Sequence, residues 1–304
     1  MRYKLFTGDC LDILKQLPDN SVDSCITDPP YGMGMEHWDH SVPSVSIWEE
    51  VMRVLKPGAF CLSFCSPQLY HRMATAVEEA GFNIQDQIMW MITTKMPKKN
   101  RLKPAHEPIV VAQKPFKGSI DNNFEEWGVG KIDVLTTRVP WDGKPPTGWV
   151  AEGVKRRSFG KDGKHARASL IQTKKEGWVK VESGEWVEFG KVDANPDGRY
   201  PSNIIGEVLP DHQKYFYAPR VTRKERGEYN DHPTPKPISL MSYLCKIYCP
   251  PDKLVLDPFC GSGSTGIGAL LEGRKFFGID MEEHYTSISE KRIQEHVYTE
   301  GEDE

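Results

Sequence analysis

The chain has 304 residues, 38% of them hydrophobic, and a formal net charge of −4. That length suits one large α/β domain with an insertion, or two small domains, and the charge excludes the uniformly basic coat of a nucleic-acid domain with a pI above ~9. No apolar run approaches the ~20 residues of a membrane span and Met1 to Gly8 lacks a signal peptide's apolar core, so the expected setting is cytoplasmic, with no membrane contact.

Lys4 to Phe6 reads as a short strand. Leu11, Leu14 and Leu17 follow at helical spacing until Pro18 stops them, with Asp9 placed to cap that helix. The apolar run Val22 to Thr27 is a buried strand that closes on Asp28, Pro29, Pro30 and Tyr31. Each proline fixes its own φ and pushes the preceding residue into extended geometry, so the carboxylate and the carbonyls leave the strand on a stiff frame. An exocyclic nucleobase amine is a weak nucleophile, because its lone pair is delocalised into the ring. Asp28 and the Pro29 carbonyl offer acceptors for its protons, and Tyr31 offers a flat face. The same four residues also suit a plain strand-to-turn exit.

A helix carrying Ile47, Val51, Val54 and Leu55 ends at Lys56, Pro57 and Gly58, and Ala59 to Phe64 is the next strand. Pro67 to Ala80 has helical spacing, Ile84 to Ile92 is a strand, Lys95 to Lys103 is a basic loop, and Glu107 to Ala112 is expected as an edge strand. Successive strand–helix units with short connections predict a doubly wound parallel sheet.

From Phe116 to about Arg220 the helical periodicity fades. Trp127, Trp141, Trp149, Trp178 and Trp186 appear among basic residues that include Lys155, Arg156, Arg157, Lys161, Lys164, His165 and Arg167, and a hairpin-like alternation runs from Trp178 to Val187. Such an insert suits phosphate neutralisation plus stacking, or a solvated irregular surface. Regular patterning returns with a helix over Pro237 to Tyr248, strands at Lys253 to Leu256 and Phe276 to Ile279, and a last helix through Tyr285, Ile288 and Ile293. The expected organisation is therefore 1–115 and 221–295 as two halves of one α/β domain, 116–220 as an insert, and 296–304 as an acidic tail. Seven scattered cysteines and nine histidines show no ligand spacing, so neither a disulfide framework nor a metal site is expected.

Asp257, Pro258, Phe259, Cys260, Gly261, Ser262, Gly263, Ser264, Thr265 and Gly266 join a strand to a helix. The three glycines satisfy G-x-G-x-x-G in the context that gives it meaning, and Asp280 ends the next strand, about 20 positions after Gly261, where an acid can accept from ribose hydroxyls. A P-loop is excluded by the missing Gly-Lys-Ser/Thr ending, and a dinucleotide would set its pyrophosphate close to Asp257. S-adenosylmethionine suits the loop better. Asp257 can help hold its positive end, while Ser264, Thr265 and the helix N-terminus take its carboxylate, with Lys236 as an added cation.

Together the two constellations resemble the β group of DNA amino-methyltransferases, in which the catalytic tetrapeptide comes first, a target-recognition region lies in the middle and the cofactor loop comes last. The resemblance covers roughly residues 1–115 and 200–295. It implies a class I methyltransferase-like, circularly permuted, seven-stranded sheet in which the strands before Asp28 and Asp257 are central neighbours, with residues 116–220 as the recognition insert. It further implies that Asp9, Cys10 and Met281 lie at the cofactor's adenine, that Thr234, Lys236, Ser264 and Thr265 hold its carboxylate, and that Asp280 holds its ribose. The partner implied is double-stranded DNA, in DNA methylation and restriction-modification, and a homodimer stays open. Lys155, Arg156, Arg157, Lys161, Lys164 and Arg167 are the candidate DNA contacts.

The expected reaction is direct transfer of the sulfonium methyl to an exocyclic amine of a flipped-out base. In the family an Asp in the first catalytic position goes mostly with adenine N6 and a Ser mostly with cytosine N4, so Asp28 favours adenine. RNA methylation, a DNA-binding module without catalysis and a nicotinamide oxidoreductase remain as alternatives.

Overall fold

A computed structural model describes residues 2–34, 39–92, 104–140, 147–151, 173–175, 178–180, 186–193, 198–206, 223–226 and 228–298. The chain divides into two compact units, Met1–Thr137 with Tyr200–Glu304, and Arg138–Arg199.

The larger unit runs in the order β1 (Tyr3–Thr7), α1 (Cys10–Leu14), β2 (Val22–Thr27), α2 (Val45–Val54), β3 (Leu55–Phe64), α3 (Tyr70–Glu79), β4 (Asn83–Met91), β5 (His106–Gln113) and α4 (Ile120–Trp127). After the smaller unit's strands β6 to β9 it resumes with β10 (Ile204–Gly206), α5 (Arg223–Arg226), α6 (Ile238–Tyr248), β11 (Leu254–Asp257), α7 (Ser264–Leu271), β12 (Lys275–Asp280) and α8 (Glu283–Ile293). Its sheet has eight strands in the order β1-β12-β11-β2-β3-β5-β4-β10, and β5 alone runs against the others.

Every residue of β2 is buried, as expected of a parallel strand covered on both faces. Successive side chains point to opposite faces, so Cys25 and Cys61 join Trp48, Val51, Val54, Met73 and Val77 of α2 and α3 on one side. Ile26 and Leu62 join Leu240, Met241, Leu244 and Ile267 of α6 and α7 on the other. Each such large side chain contributes about 1.5–3 kcal/mol when fully buried. The chain leaves β2 for β3 on one side and enters β11 then β12 on the other, which makes the C-terminal ends of β2 and β11 a topological switch point.

Four expectations need correction. β5 lies between β3 and β4 and is not an edge strand; Ile109, Val110, Val111 and Ala112 are buried in succession, the pattern of a strand covered on both faces. The sheet has eight strands and not seven, because β10 adds a short parallel strand beside β4. The helix expected from Pro67 begins only at Tyr70. Lys56, Pro57 and Gly58 lie inside β3, where the register with β2 shifts between Val22 and Ser24 and leaves room for a proline that donates no ladder bond.

The smaller unit holds an antiparallel sheet of β6 (Thr147–Ala151), β7 (Thr173–Lys175), β8 (Trp178–Lys180) and β9 (Trp186–Asp193), in the order β6-β9-β8-β7. The hairpin expected around Trp178 is the β8–β9 pair, with Val179 opposite Val187. This unit is narrower than the 116–220 span read from sequence, since α4 belongs to the larger unit. There the buried Asn123 side chain donates to the Pro57 carbonyl at 3.0 Å and the Val129 carbonyl at 3.1 Å. Residues 299–304 of the acidic tail lie outside the described residues, and no helix among those described is long and apolar enough to cross a membrane.

Candidate active site

β2 and β11 pair in parallel with Val255 opposite Ser24 and Leu256 opposite Cys25, so Asp28 and Asp257 emerge side by side from the middle of the sheet. The Thr27 hydroxyl donates to Asp257 Oδ1 at 2.6 Å and ties the two strand ends together.

Around Asp28 three polar side chains converge. The Tyr31 hydroxyl lies 2.7 Å from Asp28 Oδ1 and 3.2 Å from Glu107 Oε2. The Lys236 ammonium donates to Asp28 Oδ2 and sits 3.8 Å from Glu107, packed over the rings of Phe64 and Tyr31. Burial pushes the Asp28 carboxyl up and Glu107 adds to the rise, while Lys236 opposes both. Burial alone would discharge Lys236, but Asp28 and Glu107 hold it cationic.

Glu107 was not anticipated. It sits near the start of β5, and because β5 is reversed, that start lies with the C-terminal ends of the parallel strands, where Glu107 pairs in register with Trp90. Lys236 was expected at the cofactor's carboxylate and stands at Asp28 instead. Two buried carboxylates need a counter-charge, and Lys236 is the cation that supplies it.

The glycine loop forms a second group. Asp257 Oδ1 also accepts from the Phe259 amide at 3.1 Å, the Thr265 hydroxyl bonds the same carboxylate, and burial pushes this group up to about 7. Thr265 therefore faces Asp257. Ser264 opens α7 behind Gly263, which has φ +80°. Asp280 accepts from the Gly261 amide at 2.8 Å and the Glu282 amide at 3.0 Å. At Gly261 a Cβ would lie 2.8 Å from His232 Nε2, so the loop and the imidazole meet without space for any side chain. Pro258 is buried behind the loop and Phe259 packs on the core.

Asp9 caps α1, accepting from the Leu11 amide at 2.7 Å, and the adjacent Gly8 amide donates to the Asp280 carbonyl at 2.9 Å. Asp9 and the buried Cys10, whose thiol burial pushes up to about 12, thus stand beside Asp280. Met281 is 63% exposed at the end of β12 and Thr234 is exposed upstream of Lys236. The six basic residues between Lys155 and Arg167 lie outside the described residues. No cluster of metal-ligating side chains occurs among those described.

The profile of the N6/N4 methyltransferase family, described as DNA methylase, matches residues 22–291. The chain belongs to this family of DNA methyltransferases. Among similar proteins, the type II methyltransferase M.HindIII of Haemophilus influenzae is 23% identical, over 95% of this chain and 94% of its own length. M2.MboI of Moraxella bovis is 22% identical, over 96% and 88%. The fold matches the crystal structure of an M1.HpyAVI–SAM complex with a TM-score of 0.53 at 20% identity, covering 96% of this chain and 98% of that one. It matches PvuII DNA methyltransferase, which is cytosine-N4-specific, with a TM-score of 0.58 at 18% identity, covering 96% and 86%.

His232 gives this methyltransferase a measurable pH signature. Burial, reinforced by Lys236 and Arg292, lowers its imidazole to about 4, below the ordinary value of 6.5. Below pH 6.5 the unfolded chain takes up a proton that the folded chain refuses, so stability is present above 6.5 and falls as pH drops toward 4. Chemical denaturation at pH 7.5 and 4.5 should show wild type losing on the order of 2–3 kcal/mol more than His232→Gln. Equal losses would contradict this assignment.

Proposed function

We propose that this DNA methyltransferase transfers the methyl group of S-adenosylmethionine to the exocyclic N6 amine of adenine, in a base flipped out of double-stranded DNA. The observation that carries the reading is the Asp28 carboxylate at the switch point, one strand away from the glycine loop and already bonded to an ammonium donor. The Lys236 ammonium stands in for the amine that Asp28 would hold. The choice of adenine rests on Asp28 occupying the first position of the tetrapeptide.

The loop residues fit the cofactor. The Ser264 hydroxyl at the start of α7 suits a carboxylate, and Asp280 at the end of β12 retains acceptor lone pairs for ribose hydroxyls. When bound, S-adenosylmethionine supplies an electrophilic methyl on a sulfonium.

Asp28 and the Pro29 carbonyl accept the two amine protons and aim the nitrogen, and Tyr31 stacks on the base. The amine displaces Lys236 from Asp28 Oδ2, and the ammonium turns to Glu107, 3.8 Å away. On taking up the methyl group the amine would become cationic, and its surplus proton would pass to Asp28, whose raised proton affinity suits the task. Glu107→Gln removes the second seat for Lys236. The turnover rate should fall about tenfold with cofactor affinity unchanged, as read from steady-state kinetics and calorimetry; an unchanged rate would remove Glu107 from the mechanism.

The choice of base is tested by expressing the chain in cells that lack DNA methylation and analysing nucleosides of the genomic DNA by mass spectrometry. N6-methyladenine is expected. N4-methylcytosine in its place would overturn the adenine reading and leave the amine chemistry standing. The six basic residues between Lys155 and Arg167 are proposed phosphate contacts, in a protein working in the cytoplasm.

A further inference from the structure

Arg292, on α8, is 1% exposed and lies beneath the glycine loop. One terminal nitrogen donates to the Ser262 carbonyl at 2.5 Å, to the Ser262 hydroxyl at 3.1 Å and to the Ser264 hydroxyl at 3.3 Å. The other donates to the Glu225 backbone carbonyl at 3.0 Å, and Nε has no partner. The Glu225 carboxylate accepts from the Ile238 amide at 3.2 Å, and the Glu225 and Glu295 charges favour the Arg292 guanidinium from outside its hydrogen-bond shell.

Burial works against the guanidinium charge, the Glu225 and Glu295 charges offset only part of that cost, and an anion at the loop would offset more. The N-terminus of α7, opened by Ser264, adds partial positive charge at the same place. Two positive features thus converge at Ser262 and Ser264. The hydroxyl geometry adds a direction. Arg292 donates to both serine oxygens and occupies one lone pair of each, so each hydroxyl proton is left to point away from the guanidinium.

We propose that Arg292 is a positioning residue for the carboxylate end of the cofactor. It turns the Ser262 and Ser264 hydroxyls into donors and supplies the charge that the carboxylate balances. The inference rests on the S-adenosylmethionine reading above and adds a residue whose charge and hydrogen bonds lie under the loop and not at Lys236.

The test is calorimetric, with no methyl transfer. Wild type, Arg292→Gln and Arg292→Lys are titrated with S-adenosylhomocysteine and with its decarboxylated analogue, which keeps the ammonium. Arg292→Gln should weaken S-adenosylhomocysteine about tenfold or more and the analogue less than about twofold, with Arg292→Lys in between. Equal weakening of both ligands would reduce Arg292 to a structural prop and overturn the proposal, as would no weakening of either. If Arg292→Gln fails to give a cooperative melt, Arg292→Lys alone decides, by whether its loss is confined to the carboxylate-bearing ligand. Failure of wild type to bind S-adenosylhomocysteine would overturn the cofactor reading itself, and is separable because no variant is needed to see it.

Discussion

Asp28→Ala should lower methyl transfer to DNA at least about a thousandfold while cofactor affinity stays within about twofold. The carboxylate is the proposed acceptor at the end of β2, bonded to Tyr31 at 2.7 Å and to Lys236. Glu107 is adjacent and shares Tyr31 and Lys236 with it, but stands on β5 and not at the end of β2. Removing Asp28 therefore removes the amine's acceptor and the proton's destination together. The cofactor loop is untouched, since Asp257 is held by Thr27 and Phe259, and Gly261 by Asp280. Single-turnover transfer and calorimetry on the same preparation read the two quantities separately. Transfer retained within about tenfold would remove Asp28 from the reacting position.

Gly266→Ala should cost about 1–3 kcal/mol of stability and loosen cofactor binding with it, and Gly266→Val should cost more. A Cβ at this position would lie 2.6 Å from two ring carbons of Phe276, closer than carbon atoms pack. Phe276 is 1% exposed in the middle of β12, among Val255, Ile267 and Leu270, so the ring has nowhere to turn. The helix must therefore move away from the sheet, carrying Ser264 and Thr265 at its start away from Asp257 and Arg292. Urea denaturation measures the first effect and S-adenosylhomocysteine titration the second. Wild-type stability in Gly266→Ala would show that the α7–β12 contact is looser than described.

The glycine loop and the tetrapeptide were legible because chemistry demands short, contiguous patterns: residues without Cβ where backbone meets ligand, and a carboxylate on a stiff turn. Their adjacency was legible only through the family resemblance, since nothing local in Val22 to Thr27 or Leu254 to Leu256 names its neighbour. Glu107 was hidden because strand direction is not written in an apolar run. The stretch from Ile109 to Ala112 reads the same in either direction, and only the reversal of β5 brings its first residues to the active end.

Lys236 was read as a cation for the cofactor's carboxylate and lies against Asp28 and Glu107, because a basic residue in a proline-rich turn does not disclose which carboxylate it neutralises. Arg292 went unnoticed for a related reason. On a final helix rich in charge it reads as solvated surface, yet Ile293 and Ser289 beside it are also buried, and the guanidinium is carried inward with them.

In the proposed function Asp28 holds a DNA amine beside a methyl donor bound on the neighbouring strand. The most direct measurement is incubation of the purified chain with methyl-labelled S-adenosylmethionine and unmethylated genomic DNA, followed by counting of label in the DNA. Label is expected in DNA, abolished by Asp28→Ala and absent from RNA and protein. Label that persists in Asp28→Ala, or that appears in RNA or protein while DNA stays unlabelled, would contradict it.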